Sequence, residues 1–145
     1  MVSKNEVRIE ELLSRGPDIT DGPGIVYAFV IVGGTSRDNA LMVKVGATKD
    51  WKRRMREWKN QCKGEEHVWL VGIESKYRFL TESCAHIMLE NRALERPVVT
   101  CEYCGRKHME KFVMKVKDRF ASNVERELIQ VIEEAKRRVN TYFGV

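Results

Sequence analysis

Hydrophobic positions along the chain predict strands and helices in alternation. A continuous run of branched and aromatic residues, GIVYAFVIV at 24–32, predicts a central strand buried on both faces. LMVKVG at 41–46 predicts a second strand, and the short polar connector between the two favours an antiparallel hairpin. HVWLVGIE at 67–74 predicts a third strand, and KFVMKVK at 111–117 has the composition of another short strand.

Other segments follow a helical period. Apolar residues at i, i+4, i+7 and i+11 form one narrow stripe of a helix predicted at about 49–62. The members of this stripe are Trp51, Met55, Trp58 and Cys62. Further helices are predicted at 77–94 and 122–143, with a short one around 6–13.

The order of these elements predicts an α/β or α+β domain with a small, mainly antiparallel, three-stranded sheet flanked by helices. We expect residues 1–21 to form an N-terminal extension, 22–116 the domain itself and 117–145 a C-terminal helix packed on it. Ser122 and Glu125 have the spacing of a capping box at the start of that last helix. A chain of 145 residues suffices for one such domain with its own core.

Composition narrows the class of protein. Hydrophobic residues are 43% and charged residues 32% of the chain, which is typical of a folded globular protein rather than a disordered one. No apolar run approaches the ~20 residues that a membrane helix needs. The N-terminal residues do not have the pattern of a secretory signal, so we expect an intracellular protein, nuclear or cytoplasmic.

Basic residues are concentrated in the predicted helix at 49–62. The formal charge of +5 permits a polyanionic partner. Between residues 52 and 63, Glu57 is the one acid among six basic residues, which are Lys52, Arg53, Arg54, Arg56, Lys59 and Lys63. At about 100° per residue, Arg54 lies roughly 70° from the centre of the apolar stripe, whereas Arg53 and Arg56 point outward. The segment is either an ordinary solvated face or a surface that holds an anion, and 136–138 is a second basic cluster.

The stretch CEYCGRKH at 101–108 has the form of a zinc knuckle. Cys101 and Cys104 are separated by two residues and followed by glycine, and His108 is a candidate third ligand. A structural zinc site needs four ligands. The candidates for the fourth ligand are Cys62, Cys84 and His86. The alternative is two chance thiols in a loop. Since the chain has no catalytic His-Glu-x-x-His motif, we expect any zinc to stabilise the fold.

An ordered set of short motifs spans the predicted domain. It consists of GIVY at 24–27, KVG at 44–46, Arg54 eight residues after that glycine, Glu82 on a later helix and His86 one turn on. This set resembles the GIY-YIG endonuclease superfamily. It is most similar to the branch first named for a phage DNA-binding domain, and in particular to its fungal-type members.

The resemblance covers roughly residues 22–116. The fungal-type members carry Gln-Cys at the end of the arginine helix, which corresponds here to Gln61 and Cys62. They also carry a Cys-x-x-Cys…His knuckle, which corresponds to the stretch at 101–108. Relatives without the knuckle often keep a histidine that matches His86, which favours Cys62 as the fourth zinc ligand.

This resemblance implies a metal-dependent phosphodiester hydrolase fold. Tyr27 matches the tyrosine that helps to activate the attacking water, and Arg54 matches the arginine that holds the scissile phosphate. Glu82 matches the single carboxylate that binds a divalent ion, magnesium or manganese. The residue types suit these roles, because magnesium accepts one carboxylate beside water and phosphate oxygens, and an arginine fork grips two phosphate oxygens.

Lys44 stands where the second motif of the superfamily has a tyrosine. A lysine at this place is common in the phage-type branch. It would neutralise phosphate, or assist proton transfer if its pKa is lowered. The resemblance places His86 on the same active face.

Three functional hypotheses remain open at the level of sequence. The first is a magnesium-dependent endonuclease with a zinc-stabilised core, which contacts the DNA backbone through Arg53, Arg56 and Lys59. The second is a DNA-binding module on the same fold without cleavage activity, and Lys44 is the residue that favours it. The third is a zinc-stabilised protein-interaction domain in which the basic helix is only a solvated face.

Overall fold

The computed structural model describes residues 3–61, 64–100, 107–108 and 110–145. The elements in this part of the chain are, in order, α1 (Lys4–Arg15), β1 (Gly24–Ile31), β2 (Ala40–Thr48), α2 (Trp51–Gln61), β3 (His67–Ser75), α3 (Arg78–Glu90), β4 (Val99–Thr100), β5 (Lys107–His108), β6 (Lys111–Lys115) and α4 (Ser122–Phe143). No helix in the described ranges is both long and apolar enough to cross a membrane.

The main sheet is antiparallel, with the strand order β3–β1–β2–β6. β1 is therefore a central strand, and all its residues from Val26 to Ile31 are buried, as the apolar run predicts. The predicted α+β class and the β1–β2 hairpin are confirmed. The sheet has four strands instead of the expected three, because the segment whose composition predicts a further short strand forms β6 and pairs with the outer edge of β2. Pairing between segments so distant in the chain depends on tertiary packing, which local periodicity does not report.

Different helices cover the two faces of the sheet. Val26 and Ala28 of β1 point into the main core, to which α1, α3 and α4 also contribute. Tyr27 and Phe29 alternate with them and point to the opposite face, where α2 packs through the buried Trp58. The residues of the first and second motifs therefore present their polar side chains on the α2 face.

The start of α4 differs from the prediction. The expected capping box of Ser122 and Glu125 is wrong, because Ala121 is the N-cap residue and has a left-handed backbone. The Asp118 carboxylate accepts hydrogen bonds from the N–H groups of Ser122 at 3.0 Å and Asn123 at 3.2 Å. A carboxylate just upstream of the helix thus satisfies the free N–H groups of the first turn.

The predicted zinc knuckle lies largely outside the described residues. β4 and β5 pair antiparallel, so that Val99 is opposite His108. Cys62, Cys101 and Cys104 and the side chain of His108 lie outside the part of the chain that the structure describes. Zinc binding therefore stays a prediction from the sequence.

Candidate functional site

Five residues predicted for the active face lie close together where the α2 face of the sheet meets α3. Electrostatic interactions connect Glu82 with Lys44 and Arg54. Tyr27 interacts in the same way with Arg54 and Glu82. The Nε2 atom of His86 lies 4.0 Å from the carboxylate of Glu82. Residues from two strands and two helices thus form one polar cluster, as the ordered motifs indicate.

Tyr27 is held in an aromatic environment on the α2 face. Its ring packs against those of Trp51 and Trp69, with centroids 5.8 and 5.0 Å away. Its hydroxyl oxygen accepts a hydrogen bond from Trp58 Nε1 at 3.3 Å. Burial is the main cause that raises the pKa of Tyr27 to about 12. The phenol is therefore neutral at physiological pH, and its O–H donates to no group in the part of the chain that the structure describes.

Arg54 lies between the core and the solvent, as its position in the helical period predicts. The carboxylate of Asp50 accepts a hydrogen bond from the N–H of Arg53 at 3.0 Å and stabilises the start of α2. One terminal nitrogen of Arg54 lies 3.2 Å from a carboxylate oxygen of Glu57. The Nε of Arg54 is buried and has no hydrogen-bond partner among the described residues. This donor is an unsatisfied polar group inside the cluster.

Glu82 occupies the first half of α3. The start of that helix is fixed by Asp21, whose carboxylate accepts hydrogen bonds from the N–H groups of Phe79 and Leu80 at 2.9 and 3.0 Å. Burial raises the pKa of Glu82 to about 7, and Lys44 opposes this shift only in part. The carboxyl group of Glu82 therefore lacks full compensation for its charge.

His86 forms a hydrogen bond with the backbone of β2. The Val45 carbonyl lies just beyond the β2–β6 pairing, which ends at Lys44. His86 Nε2 donates a hydrogen bond to this carbonyl at 2.8 Å, so the proton of the neutral ring is on Nε2. Burial lowers the pKa of His86 to about 4, which keeps the ring neutral at physiological pH. In this arrangement Nε2 is engaged by the backbone.

Lys44 has a partner that the sequence did not reveal. Its side chain is 5% exposed, and its ammonium forms an ion pair with Glu110, which lies between β5 and β6. The ammonium also lies 5.0 Å from the centroid of the Trp58 ring. Burial lowers the pKa of Lys44, while Glu110 and then Glu82 oppose that effect. Only the pairing of β6 with β2 brings Glu110 to this place, and no local sequence pattern signals it.

The predicted backbone-binding residues of α2 lie on its solvent side. Arg53, Arg56 and Lys59 are all exposed. Arg53 also forms an ion pair with Glu57 at 3.2 Å, so part of its charge is already compensated. These exposed side chains place positive charge along the solvent side of the helix that carries Arg54.

A divalent cation has one suitable ligand in the described cluster. No group of three or more His, Cys, Asp or Glu side chains able to hold a metal occurs in the described ranges. Magnesium commonly binds through one carboxylate and completes its coordination with water and phosphate oxygens. The buried and incompletely compensated carboxyl group of Glu82 fits that requirement.

The chain matches a model of a known protein family. The family model for the T5orf172 domain matches residues 24–140, from the start of β1 to near the end of α4. No curated protein and no solved structure matches the chain. The matched segment includes all five clustered residues and the stretch at 101–108.

Proposed function

The chain belongs to the T5orf172 domain family, a phage-type family of DNA-binding and nuclease-like domains, and we propose that it is a divalent-cation-dependent endonuclease of the GIY-YIG type. The observation that carries this proposal is the buried Nε–H of Arg54 beside Tyr27 and Glu82, which has no hydrogen-bond partner among the described residues. A donor, a neutral phenol and an uncompensated carboxyl group are the parts needed to bind and cleave a phosphodiester.

Arg54 is the group that binds the scissile phosphate. Leaving a buried donor without an acceptor costs about 1–3 kcal/mol, and more when the donor is charged. A phosphate oxygen next to Nε removes that cost and forms a charge-assisted hydrogen bond. The Arg54 side chain is 36% exposed, so its guanidinium is within reach of a phosphate at the surface, and a shift of the side chain brings the buried Nε to a phosphate oxygen. Charge that develops on the phosphate during cleavage increases the same attraction.

Glu82 is the residue that holds the divalent cation. When bound, magnesium or manganese supplies a Lewis acid for the phosphate oxygen and neutralises its charge. Glu82 must be ionised to serve as a ligand. Because burial raises its pKa to about 7, this carboxyl group is partly protonated at neutral pH, and a bound cation would displace that proton.

Tyr27, Lys44 and His86 complete the active face. The Tyr27 oxygen accepts from Trp58, so its own proton is directed to a water or a phosphate oxygen that enters the site. Lys44 contributes positive charge beside Glu82 and is held in place by Glu110. His86 is a positioning residue, because its Nε2–H holds the Val45 carbonyl and with it the strand that carries Lys44.

The exposed basic residues of α2 bind the DNA backbone on either side of the scissile bond. Arg53, Arg56 and Lys59 are solvated and make contacts that carry no sequence information. Such contacts release counterions from DNA, so binding weakens steeply as salt rises. A binding constant that stays the same between 50 and 200 mM salt, about the range over which several phosphate contacts are lost, would refute this surface.

A DNA-binding module without cleavage activity is the second candidate function. The observation that favours it is the buried ammonium of Lys44, which acts on Glu82 where a cation is expected. In that case Arg54 binds a phosphate that is never cleaved. The two functions predict the same DNA affinity and differ only in the presence of product.

Supercoiled plasmid DNA separates these functions when it is incubated with the protein and magnesium or manganese. We expect nicking by the wild-type protein and at least a hundredfold lower rates for Arg54→Ala and Glu82→Gln, the scale at which single stabilising groups act in catalysis. Matched controls are Arg126→Ala and Glu125→Gln, two exposed positions of α4, which we expect to leave the rate unchanged. Gel shift without nicking would support the binding module. A Glu82→Gln variant with the wild-type rate would refute the metal assignment.

A further inference from the structure

A second basic site lies at the end of the sheet where β1 begins and β3 ends. It is an open cleft of about 560 Å³ between these strand ends and the C-terminal half of α4. Its side chains come from the β2–α2 connection, the end of β3, the β3–α3 connection and α4. They include Lys49, Glu74, Lys76, Lys136 and Asn140.

Three lysines face this cleft with little compensating charge. Lys49, Lys76 and Lys136 belong to separate segments, and Glu74 is the one acidic residue among the lining residues that the structure describes. Within the described ranges, no carboxylate lies within the 4.0 Å of an ion pair from any of the three ammonium groups. Like charges brought together in a concave surface repel each other unless an anion joins them.

The basic residues at 136–138, the second basic cluster of the sequence, have different contacts in the structure. Arg137 forms a hydrogen bond of 2.8 Å with Glu134, and Arg138 bonds Glu6 of α1 at 3.0 Å. These two arginines therefore serve contacts within the protein. Lys136 is the member of the cluster that the helical period directs to the cleft.

We propose that this cleft binds the sugar–phosphate backbone of DNA on one side of the scissile phosphate. This inference rests on the proposed function, since it assigns the path of the same substrate. Lysines suit a backbone, because an ammonium binds phosphate as a mobile point charge and does not require a fixed orientation. The open shape favours a continuous polyanion that passes through the cleft over a small anion enclosed by it.

The position of the cleft supports continuity with the active face. Gly24 and Ile25 line the cleft, and Tyr27 lies two residues further along β1, about 7 Å away at the usual rise of a strand. Ile25 packs into the same aromatic cluster as Tyr27 and Trp51. Duplex DNA carries a charge about every 1.7 Å of its axis, so a duplex that continues from Arg54 past this end of the sheet presents several phosphates to the cleft.

The test removes the three charges and measures the salt dependence of binding. The plot of log affinity against log salt has a negative slope. In the variant with Lys49, Lys76 and Lys136 all changed to alanine, each lost phosphate contact makes that slope shallower by about 0.9, or by about 2.7 in total. At 50 mM salt, where such contacts are strong, we expect an affinity loss of at least about tenfold. The matching triple change to arginine should retain the wild-type slope.

The control variant removes three positive charges from positions outside the cleft. Lys4, Lys115 and Arg126 are exposed and are not among the residues that line the cleft, so their combined change to alanine should leave the slope within experimental error. At saturating DNA, the cleft variant should nick at the wild-type rate, because Arg54 and Glu82 are intact. A wild-type slope in the cleft variant overturns the cleft assignment and leaves the proposed function standing. Absence of DNA binding by the wild-type protein overturns both.

Discussion

The ring of Tyr27 occupies the space that a side chain at Gly46 would need. The two residues are opposite each other in the β1–β2 pair. A Cβ atom built on Gly46 would lie 2.4 Å from the Tyr27 hydroxyl oxygen, which is closer than any real contact. The glycine of the KVG stretch therefore determines where the phenol of the first motif is held.

Substitution Gly46→Ala is expected to displace Tyr27 from the polar cluster that it forms with Arg54 and Glu82. The overpacked pair should lower the free energy of unfolding by about 1–3 kcal/mol. It should also reduce plasmid nicking more than DNA binding, since the exposed basic residues are untouched. Chemical denaturation and the nicking assay measure the two effects separately.

Gly72 provides a matched control for this substitution. It is opposite Tyr27 on the other side, in β3, and its built Cβ lies no closer than 3.4 Å to Trp51. The variant Gly72→Ala should therefore keep both stability and nicking close to the wild-type values. Equal losses in the two variants would show that Gly46 has no special relation to Tyr27.

The pH dependence of stability should reveal the opposite shifts of Glu82 and His86. With a pKa near 7 in the fold against 4.5 ordinarily, Glu82 keeps a proton that the unfolded chain releases, so its contribution falls as pH rises from about 4.5 to 7. With a pKa near 4 against 6.5, His86 excludes a proton that the unfolded chain takes up. Its contribution therefore rises with pH from about 4 to 6.5.

In the wild-type protein these two slopes oppose each other, and Glu82→Gln removes one of them. We expect the free energy of unfolding of this variant, relative to wild type, to increase as pH rises from about 4.5 to 7. Urea denaturation of both proteins in metal-free buffer over this range measures the difference. Parallel curves for the two proteins would show that Glu82 has an ordinary pKa in the fold.

The ion pair between Lys44 and Glu110 gives a prediction about stability. Glu110→Gln leaves the buried ammonium of Lys44 without its carboxylate, and we expect a loss of about 1–3 kcal/mol in the free energy of unfolding. Since Glu110 makes further contacts, a double-mutant cycle with Lys44→Met is needed to isolate the pair. A coupling energy of about 0.5–3 kcal/mol is expected, and strict additivity would contradict the assignment.

The local sequence pattern predicts where helices and strands lie, but it does not predict which distant residues contact each other. The periods of the chain predict β1, β2, β3 and the four helices close to their observed bounds. The position of Arg54 between core and solvent also follows from its place in the helical period. The Lys44–Glu110 pair does not, because it depends on β6 joining the outer edge of β2. The same limit applies to the lysine cleft, whose charges come from segments far apart in sequence.

The N-terminal cap of α4 shows a second reason why the structure differs from what the sequence predicts. Ser122 and Glu125 have the spacing of a capping box, yet the Asp118 carboxylate takes the N–H groups of the first turn. Both residue types are good acceptors at a helix start, so spacing alone does not select between them. The conformation of the segment before α4 determines which acceptor is used, because it places the Asp118 carboxylate next to the N–H groups at the start of the helix.

Zinc binding by the 101–108 stretch is the last prediction. Purified protein should contain about one zinc per chain, and a chelator should lower its melting temperature, because the binding free energy of a structural zinc contributes to folding. Cys101, Cys104 and His108 are three of the predicted ligands. The candidates for the fourth ligand that we compare are Cys62 and His86. The Nε2 of His86 is engaged by the Val45 carbonyl, which supports Cys62 as that fourth ligand.

Zinc affinity should therefore fall more in Cys62→Ser than in His86→Ala, and Cys84→Ser serves as the thiol control. Cys84 is a fully buried member of the main core, away from the α2 face, so its change should alter stability without releasing metal. Competition with a chromogenic chelator measures the three affinities. Greater release from His86→Ala would assign the fourth position to the histidine, whereas a metal-free wild-type protein with an unchanged melting temperature in chelator would exclude the zinc site.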